Sequence, residues 1–464
     1  MEATRLRRTT VAGICGALLG ALAGCMLLIG ATRASAQQGE PPGASGIDVT
    51  HLPPLLTIRG EPVELRYDVY CGAARDSATE ADAACDASGR VFVRAGDRGH
   101  FEQLQLHVDP GAAHGRLVAD VPPLIAGSRD GFSYYAVFAQ GDSNELVVPA
   151  GGAAAPQRSL PLERSVDVHL GRHVFGRTRG PDERVVEARW GDREGEVGLE
   201  QGRNLPPIGG SSFDVDGTGA VTLLDEAHGR LLRWSAGNHP PSTTPLSING
   251  TIADLAVASD GTTYVLESTG GTPRSNMLRA FRPDGSAIDS GATAERASAV
   301  RVGPQGEALV EDDPSAQWLR AAAEGRVLAP AAQRSSGRSG RRLPDGSDVV
   351  VLRRGNEIRL ALTGANGVRR SWRVTSDDPI AEVQLAEPQG GNLVVVARVY
   401  SDEHDEFLVL VLGPKGLVHS FAVDSADWAE TAPVSRFRLV GRALYRLGSS
   451  PSTVFVDRFD LEVK

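Results

Sequence analysis

Apolar and polar residues alternate with a period of two along much of this chain, most clearly in its first third. Near the start, Val63, Leu65, Tyr67 and Val69 alternate with polar residues. A period of two places every second side chain on the same face of a strand, so the alternation predicts half-buried strands. Similar segments recur between residues 47 and 160, separated by turn residues and without a helical period.

About seven such segments fall within residues 47–148, a density that is typical of an antiparallel β-sandwich of immunoglobulin or fibronectin type. Stretches of small residues and prolines flank this predicted domain, and we expect linkers at residues 37–46 and 149–162. The expected fold class is therefore all-β, with an N-terminal sandwich followed by a second domain over residues 163–464.

The second domain contains an internal repeat of a strand, a tight turn with glycine, and a second strand, after which a third strand follows. A strand repeat of roughly 40–50 residues is typical of a β-propeller blade, so the sequence predicts six blades. The turn glycines recur at intervals of 40 to 50 residues, at Gly219, Gly261, Gly306, Gly346, Gly391 and Gly441.

The sixth repeat ends at the C-terminus with its third strand and needs a fourth strand from elsewhere. An open outer edge would leave a row of backbone hydrogen-bonding groups unpaired. Two upstream segments have the alternation of a strand, Val166–Phe175 and Glu183–Gly191. We expect one of them to pair beside Val454–Leu461 and to join both ends of the propeller in one sheet.

Two repeats resemble a known family, the NHL-type repeat. The resemblance implies a six-bladed propeller. The family includes ligand-binding scaffolds, and related six-bladed propellers include metal-dependent lactonases of the gluconolactonase type. The residues that match the pattern are Val215, Asp216, Gly219, Asp225, Arg230 and Leu231 in the first repeat, and Val257, Asp260 and Gly261 in the second.

Asp214 and Asp216 have the spacing of carboxylates in a calcium-binding loop. Such a loop also needs a ligand at its fifth position and a distal bidentate glutamate. Thr218 and the apolar residues after Gly219 do not supply them. We therefore interpret the segment as a hairpin turn, in which Gly219 adopts a positive φ and Asp216 caps the backbone.

The N-terminus has the three parts of a secretory signal. Arginines precede an apolar run, Val11–Ala31, and the small-x-small pattern that ends at Ala36 predicts cleavage after that residue. Two alternatives stay open: an uncleaved membrane anchor, and lipidation of Cys25 in a sequence that resembles a bacterial lipobox. All three place the remaining chain outside the cytoplasm, secreted or at the cell surface, with membrane contact only through the retained segment or the lipid.

Two cysteines follow the predicted signal, Cys71 and Cys85, and two cysteines in an exported domain most often form one disulfide. A redox or metal pair is the less favoured alternative, because the spacing is not C-x-x-C and no histidine is near.

The formal net charge is −10, and 46 of the 48 basic residues are arginines scattered along the chain. A scattered set on an acidic protein provides no electrostatic site for nucleic acid, so no nucleic-acid partner is expected.

Candidate chemistry is sparse. His169 and His173 would lie about 13 Å apart on a strand, too far to share a metal. The acidic segment Asp402–Glu406 is interpreted as a hairpin tip rather than a metal site, and no cofactor motif is present. The sequence therefore favours an exported, bacterial-type, non-catalytic binding or scaffold protein with a protein or carbohydrate partner. The alternative is a metal-dependent propeller hydrolase or lactonase, which needs acidic, asparagine or histidine side chains from several blades to converge at the mouth of the axial channel.

Overall fold

The protein, seen here as a computed structural model, is built almost entirely from short antiparallel sheets. Residues 45–464 form one compact unit. The structure describes residues 47–51, 53–58, 60–71, 87–109, 115–140, 145–162, 165–201, 207–235, 240–246, 251–269, 275–294, 297–303, 305–312, 317–339, 341–343, 347–364, 367–425, 427–429 and 436–461.

Two sheets at the N-terminal side pack face to face. The first has the strand order β1 (Ile47–His51), β3 (Val63–Cys71), β7 (Arg116–Val121) and β6 (His107–Val108). The second has the order β2 (Leu56–Ile58), β10 (Gln157–Leu162), β8 (Phe132–Ala139), β4 (Ser88–Ala95) and β5 (Glu102–Gln105), and β9 (Leu146–Val148) also pairs with β8. One short helix, α1 (Pro123–Ala126), and a 3-10 turn at Gly152–Ala154 complete this part.

The period-two pattern accounts for the core between these sheets. Leu65 and Tyr67 point inward from β3, and Val91 and Val93 point inward from β4, where they meet Phe132 in one apolar cluster. All five side chains are inaccessible to solvent. Because one face of each strand is buried in this way, a shift of register by one residue would expose the apolar set.

A half-buried histidine lies at the edge of this core. His51 donates from Nδ1 to the carbonyl oxygen of Arg66 (2.7 Å), so its Nε2 accepts a hydrogen bond from the Tyr134 hydroxyl (2.8 Å). Its ring also stacks on Tyr67 at 4.2 Å between centroids. Burial lowers the pKa of His51 to about 4, although the bond to the Arg66 carbonyl opposes this shift.

We expect the folded protein to lose stability as the pH falls from about 6.5 to about 4. The unfolded chain binds a proton at this histidine below about 6.5, whereas the folded state resists protonation, and at pH 4.5 the difference amounts to about 2–3 kcal/mol. Urea unfolding at pH 7 and pH 4.5 measures the free energy of unfolding. Between these two pH values, His51→Gln should lose about 2–3 kcal/mol less than the unmodified protein. The control His107→Gln changes an exposed histidine on β6. Equal acid losses in the two variants would contradict the assignment.

Residues 157–162 correct the predicted linker. They form β10, which pairs antiparallel with β8 and parallel with β2. Leu160 and Leu162 are buried against Val350 and Ala361 of the second half of the chain. The sequence predicted a linker here because the stretch contains only two alternating apolar residues, Leu160 and Leu162. The residues that bury them, Val350 and Ala361, lie about 190 positions further along the chain.

Six further sheets follow, which we number as ring sheets 1 to 6. Their strands are given from the inner to the outer. Sheet 1 consists of β13 (Ser212–Val215), β14 (Val221–Asp225), β15 (Arg230–Trp234) and β16 (Ser242–Pro245), and sheet 2 of β17 (Thr251–Val257), β18 (Thr263–Thr269), β19 (Ser275–Phe281) and β20 (Ala287–Thr293). Sheet 3 consists of β21 (Ala297–Val302), β22 (Ala308–Asp312), β23 (Gln317–Ala323) and β24 (Arg326–Val327); β25 (Arg334–Ser339) also pairs with β23, and a 3-10 turn lies at Pro330–Ala332.

Ring sheets 4 to 6 have the same order. Sheet 4 consists of β26 (Arg341–Arg342), β27 (Asp348–Arg354), β28 (Glu357–Gly364), β29 (Gly367–Thr375) and β11 (Val166–His169). Sheet 5 consists of β30 (Ile380–Gln389), β31 (Asn392–Tyr400), β32 (Asp405–Gly413) and β33 (Gly416–Asp424). Sheet 6 consists of β34 (Phe437–Val440), β35 (Ala443–Ser449), β36 (Thr453–Asp460) and β12 (Glu183–Arg189).

Contacts between neighbouring sheets close a ring: β25 of sheet 3 contacts β27 of sheet 4, β27 contacts β30 of sheet 5, and inner strands make the other contacts. Strand β13 contacts β17, β17 contacts β21, β30 contacts β34, and β34 contacts β13. Apolar clusters fill the spaces between neighbouring sheets; one of them joins Phe213 and Leu223 of sheet 1 to Leu447 and Val456 of sheet 6. The predicted all-β, propeller-like fold class is confirmed by this arrangement.

The predicted closing strand is confirmed as β12. It pairs antiparallel with β36, from Glu183 opposite Arg458 to Arg189 opposite Thr453. The other upstream candidate, β11, pairs instead with β29 of sheet 4, in parallel. Between them, Thr178 bridges Ala422 on β33. The segment of residues 165–189, here called the connecting segment, therefore runs along the outer strands of sheets 4, 5 and 6 in turn.

Glycines with positive φ lie at the turn between the inner two strands of five ring sheets. The values are +85° for Gly219, +84° for Gly261, +76° for Gly306, +91° for Gly391 and +59° for Gly441. A positive φ is accessible to glycine without steric cost, which explains the recurrence of this residue in the repeat. Gly346 lies outside the described residues.

Several predictions of the sequence fall on residues that the structure does not describe. Residues 1–46 contain the expected cleavage after Ala36 and the alternative at Cys25, and residues 72–86 contain Cys85. The Cys71–Cys85 disulfide and the processing of the N-terminus therefore stay predictions. Among the described residues, no helix has the length and apolar character that would be needed to cross a bilayer.

Candidate functional site

Four charged side chains from inner strands meet inside the ring. Asp214 lies on β13, Asp254 on β17, Arg301 on β21 and Arg438 on β34. They thus come from sheets 1, 2, 3 and 6. We call them the axial cluster, because Arg438 reaches from sheet 6 past sheet 1 to a carboxylate of sheet 2.

Short contacts connect the members of the axial cluster. Arg438 approaches Asp214 (Nε to Oδ1, 3.2 Å) and Asp254 (Nη2 to Oδ1, 3.4 Å). Arg301 donates from Nη1 to Oδ2 of Asp254 at 2.5 Å. Ser212 and the backbone N–H of Val300 also donate to Asp254, at 2.7 and 3.0 Å. Asp254 therefore forms ion pairs with two guanidinium groups and accepts hydrogen bonds from two neutral donors.

The axial cluster is buried at its centre, while Asp214 and Arg301 keep 16% and 15% of their side chains exposed. Asp254 is 0% exposed and Arg438 is 5% exposed. Burial raises the pKa of Asp214, and the positive charge of Arg438 offsets this only in part. Burial alone would lower the pKa of Arg301, but the negative charges of Asp254, Glu387 and Asp214 raise it above its ordinary value. The arginines thus remain charged and neutralise the carboxylates.

The axial cluster does not fit a catalytic metal ion. A divalent cation needs several carboxylate, imidazole or carbonyl ligands with no competing positive charge. Here guanidinium groups lie 2.5 to 3.4 Å from the oxygens of Asp214 and Asp254. In the described part of the chain, no group of three or more histidine, cysteine, aspartate or glutamate residues is arranged to hold a metal ion.

Asp216 belongs to a hairpin turn, as the sequence analysis proposed. Its Oδ1 accepts hydrogen bonds from the N–H and the hydroxyl of Thr218, at 2.9 and 2.6 Å, and from the N–H of Ala220 at 3.0 Å. Its Oδ2 accepts a bond from Arg233 at 2.5 Å. The neighbouring Asp214 points instead into the axial cluster, so the two carboxylates do not face a common ligand.

The other residues of the NHL-type pattern have similar structural roles. Asp225 is fully buried and accepts bonds from Arg230 (2.7 Å), His228 (2.8 Å) and the N–H of Gly198 (3.0 Å). Asp225 also pairs directly with Arg230 across β14 and β15. These pattern residues therefore stabilise the sheet and its loop rather than form a ligand site.

The two histidines of the sequence analysis do not come together. His169 lies on β11 and donates to or accepts from Thr375 at 3.1 Å. His173 contacts the buried Glu406 at 2.7 Å. Glu406 also accepts a bond from the N–H of Gly176 at 2.6 Å, so this pair attaches the connecting segment to sheet 5.

A cavity of about 870 Å³ lies between the connecting segment, the outer strand of ring sheet 5 and the turns between the inner strands of sheets 6 and 1, and we call it the rim groove. Clefts that hold small ligands measure about 300–1,000 Å³. Its lining comes from the Gly217–Gly219 turn of sheet 1, the Val440–Ala443 turn and Tyr445, Arg458 and Asp460 of sheet 6, His419 and Phe421 of β33, and Arg179 and Asp182 of the connecting segment.

Ion pairs fix the polar wall of the rim groove. Arg179 donates to Asp182 at 2.5 Å and to the carbonyl oxygen of Asp460 at 3.1 Å. Arg458 donates to Asp460 at 2.7 Å and to Glu183 at 3.0 Å. The Arg179 guanidinium also lies 4.7 Å from the centroid of the Phe421 ring. These contacts hold planar donors and acceptors side by side in a defined orientation.

The fold and these sites define an all-β protein with a propeller-like ring. No protein-family model matches the chain, and no curated protein is similar to it in sequence. Among solved structures it is similar to a protein of unknown function from Bacteroides thetaiotaomicron, with 10% identity and a TM-score of 0.31 over 90% of this chain and 99% of that chain.

Two other similar structures have described functions or folds. One is the β-propeller domain of Cps50 (Swd1) from Myceliophteria thermophila, with 11% identity and a TM-score of 0.29 over 56% of this chain and 98% of that chain. The other is virginiamycin B lyase from Staphylococcus aureus, with 9% identity and a TM-score of 0.30 over 54% of this chain and 95% of that chain. Identities of this size concern the fold and do not extend to activity.

Proposed function

We propose that this is an exported, non-catalytic binding or scaffold protein, whose ring and N-terminal sheets present loops to a protein or carbohydrate partner. We further infer that the ring is a six-bladed propeller of NHL-like type, preceded by an immunoglobulin-like sandwich. The six ring sheets and the structural roles of Asp216, Asp225 and Arg230 support this second inference.

The axial cluster is the observation that carries the proposal of a non-catalytic role. A metal-dependent hydrolase of the propeller type would use the axis for carboxylates that bind a cation. Here Arg301 and Arg438 occupy the space beside the carboxylates Asp214 and Asp254 and neutralise them. Because buried ion pairs of this kind position inner strands against one another, the axis serves the architecture and leaves the outer surfaces for binding.

An assay for lactone and ester hydrolysis tests this proposal. We expect residues 37–464, supplied in turn with Ca²⁺, Mg²⁺, Mn²⁺ and Zn²⁺, to hydrolyse gluconolactone and aryl esters no faster than buffer. We also expect no metal-dependent rise in Tm, because no cation can approach Asp214 or Asp254 without displacing an arginine. Samples with a chelator are the control. Metal-dependent turnover that falls at least tenfold in Asp214→Asn would show that the axis is catalytic.

A further inference from the structure

We propose that the rim groove binds a short neutral oligosaccharide. This inference rests on the proposed binding function and specifies the site and the class of ligand. Nothing in the repeat pattern of the sequence indicates this groove, because its lining comes from three ring sheets and from the connecting segment.

The charges around the rim groove favour a neutral ligand. Three arginines line it or lie beside it, and three carboxylates accompany them. Both Arg179 and Arg458 already contact carboxylates at 2.5 to 3.0 Å. An anionic ligand would meet Asp182 and Asp460 in the same wall, and a cation would meet the guanidinium groups. A ligand without charge avoids both repulsions. The six charged residues are Arg179, Arg442, Arg458, Asp182, Glu183 and Asp460.

The same wall fits hydroxyl groups. Each sugar hydroxyl both donates and accepts hydrogen bonds, and adjacent hydroxyls need donors and acceptors next to one another. The Arg458–Asp460 and Arg179–Asp182 pairs present such a combination in fixed positions. Burial raises the pKa of Tyr445, so its hydroxyl retains its proton and remains available as a donor near neutral pH.

The remaining surfaces of the rim groove fit the apolar faces of sugar rings. Val440 contributes carbon surface to the lining, together with the parts of Phe421, Ala443 and Tyr445 that their own packing leaves accessible. On the opposite side, Gly217 and Gly219 carry no side chains, and a Cβ added at either position would meet no atom within 4 Å. The turn therefore leaves open space at the mouth of the groove, as a flat ring of hydroxyls and C–H groups requires.

Affinity electrophoresis of residues 37–464 tests the proposal. The gels contain one of four neutral polysaccharides (mixed-linkage β-glucan, xylan, galactomannan or dextran) or one of two acidic ones (alginate or polygalacturonate). We expect at least one neutral polysaccharide to retard the protein and the acidic ones to have no comparable effect. We expect Thr218→Trp to weaken that binding at least tenfold, because it places an indole in the groove; it leaves the Arg179–Asp182 and Arg458–Asp460 pairs in place and removes one hydroxyl bond to Asp216.

The matched control is Gln305→Trp, at the position before the turn glycine of ring sheet 3, which corresponds to Thr218 in sheet 1 and lies outside the groove. It should bind like the unmodified protein. Arg442→Ala, on the facing turn, should weaken binding three- to tenfold and serves as the second groove variant if Thr218→Trp has a lowered Tm.

The proposal is overturned if no neutral polysaccharide retards the protein, if only the acidic ones do, or if both groove variants bind like the control. None of these results affects the proposal of a non-catalytic role, which the hydrolysis assay tests separately.

Discussion

Removal of residues 453–464 is expected to abolish the cooperative thermal unfolding of the ring. The deletion removes β36, which lies between β35 and β12 in ring sheet 6. Strand β12 then loses its only pairing partner among the described strands. Val186 and Ala188 also lose their apolar contacts within the cluster that contains Val454 and Val456. Sheet 6 also contributes to the cluster with sheet 5 through Phe459, so both neighbouring sheets lose packing.

Differential scanning calorimetry of the protein that ends at Ser452 measures this effect, and the protein that ends at Leu461 is its control. The control keeps all of β36 and should melt within a few degrees of the full chain. If the truncated protein does not accumulate, Val186→Asp provides a second measurement, because it places a carboxylate at a position that is 4% exposed. A protein truncated at Ser452 that melts like the control would show that β12 does not close the ring.

Replacement of Asp254 by alanine is expected to lower the free energy of unfolding by about 3–5 kcal/mol, the usual cost of breaking a buried ion pair on one side. Asp254 is 0% exposed and contacts both Arg301 and Arg438. Without it, two guanidinium groups remain inside the ring with Asp214 as the nearest carboxylate of the axial cluster, and Ser212 and the Val300 N–H lose their acceptor.

Urea unfolding of Asp254→Ala and Asp260→Asn provides the measurement and its control. Asp260 lies on the same ring sheet, in an exposed turn where it accepts a bond from the Thr262 N–H. We expect the control to lose less than about 1 kcal/mol, as surface substitutions usually do. A loss of less than 1 kcal/mol in Asp254→Ala would show that the axial cluster contributes little to the assembly of the ring.

Local signals in the sequence predicted most of the fold. Period-two alternation identifies strands such as β3 and β4 because one face of each is buried. The turn glycines Gly219 and Gly441 mark the repeat because the hairpin requires a positive φ that other residues rarely adopt. The need to pair the outer edge of β36 predicted an upstream partner, and β12 fills that role. The first two inferences use only residues within a few positions of one another, whereas the choice of β12 over β11 required the structure.

The sites depended on contacts that no local pattern contains. Asp254 and Arg438 are 184 residues apart in the chain and meet only because sheets 2 and 6 face the same axis. The rim groove likewise combines Arg179 with Arg458 and Thr218, and Leu160 and Leu162 of β10 are buried against Val350 and Ala361 of the ring.

The sequence by itself determined most of the strands and their turns, because backbone conformation follows from neighbouring residues, and it also showed that the last sheet needs an upstream strand. Only the tertiary structure decided that Asp214 and Asp216, two residues apart, have separate roles: Asp216 caps a turn, and Asp214 joins a buried pair with Arg438. The physical reason is that the two side chains meet different partners, a guanidinium group from sheet 6 and the N–H groups of a turn, and such partners determine what a charged group can do.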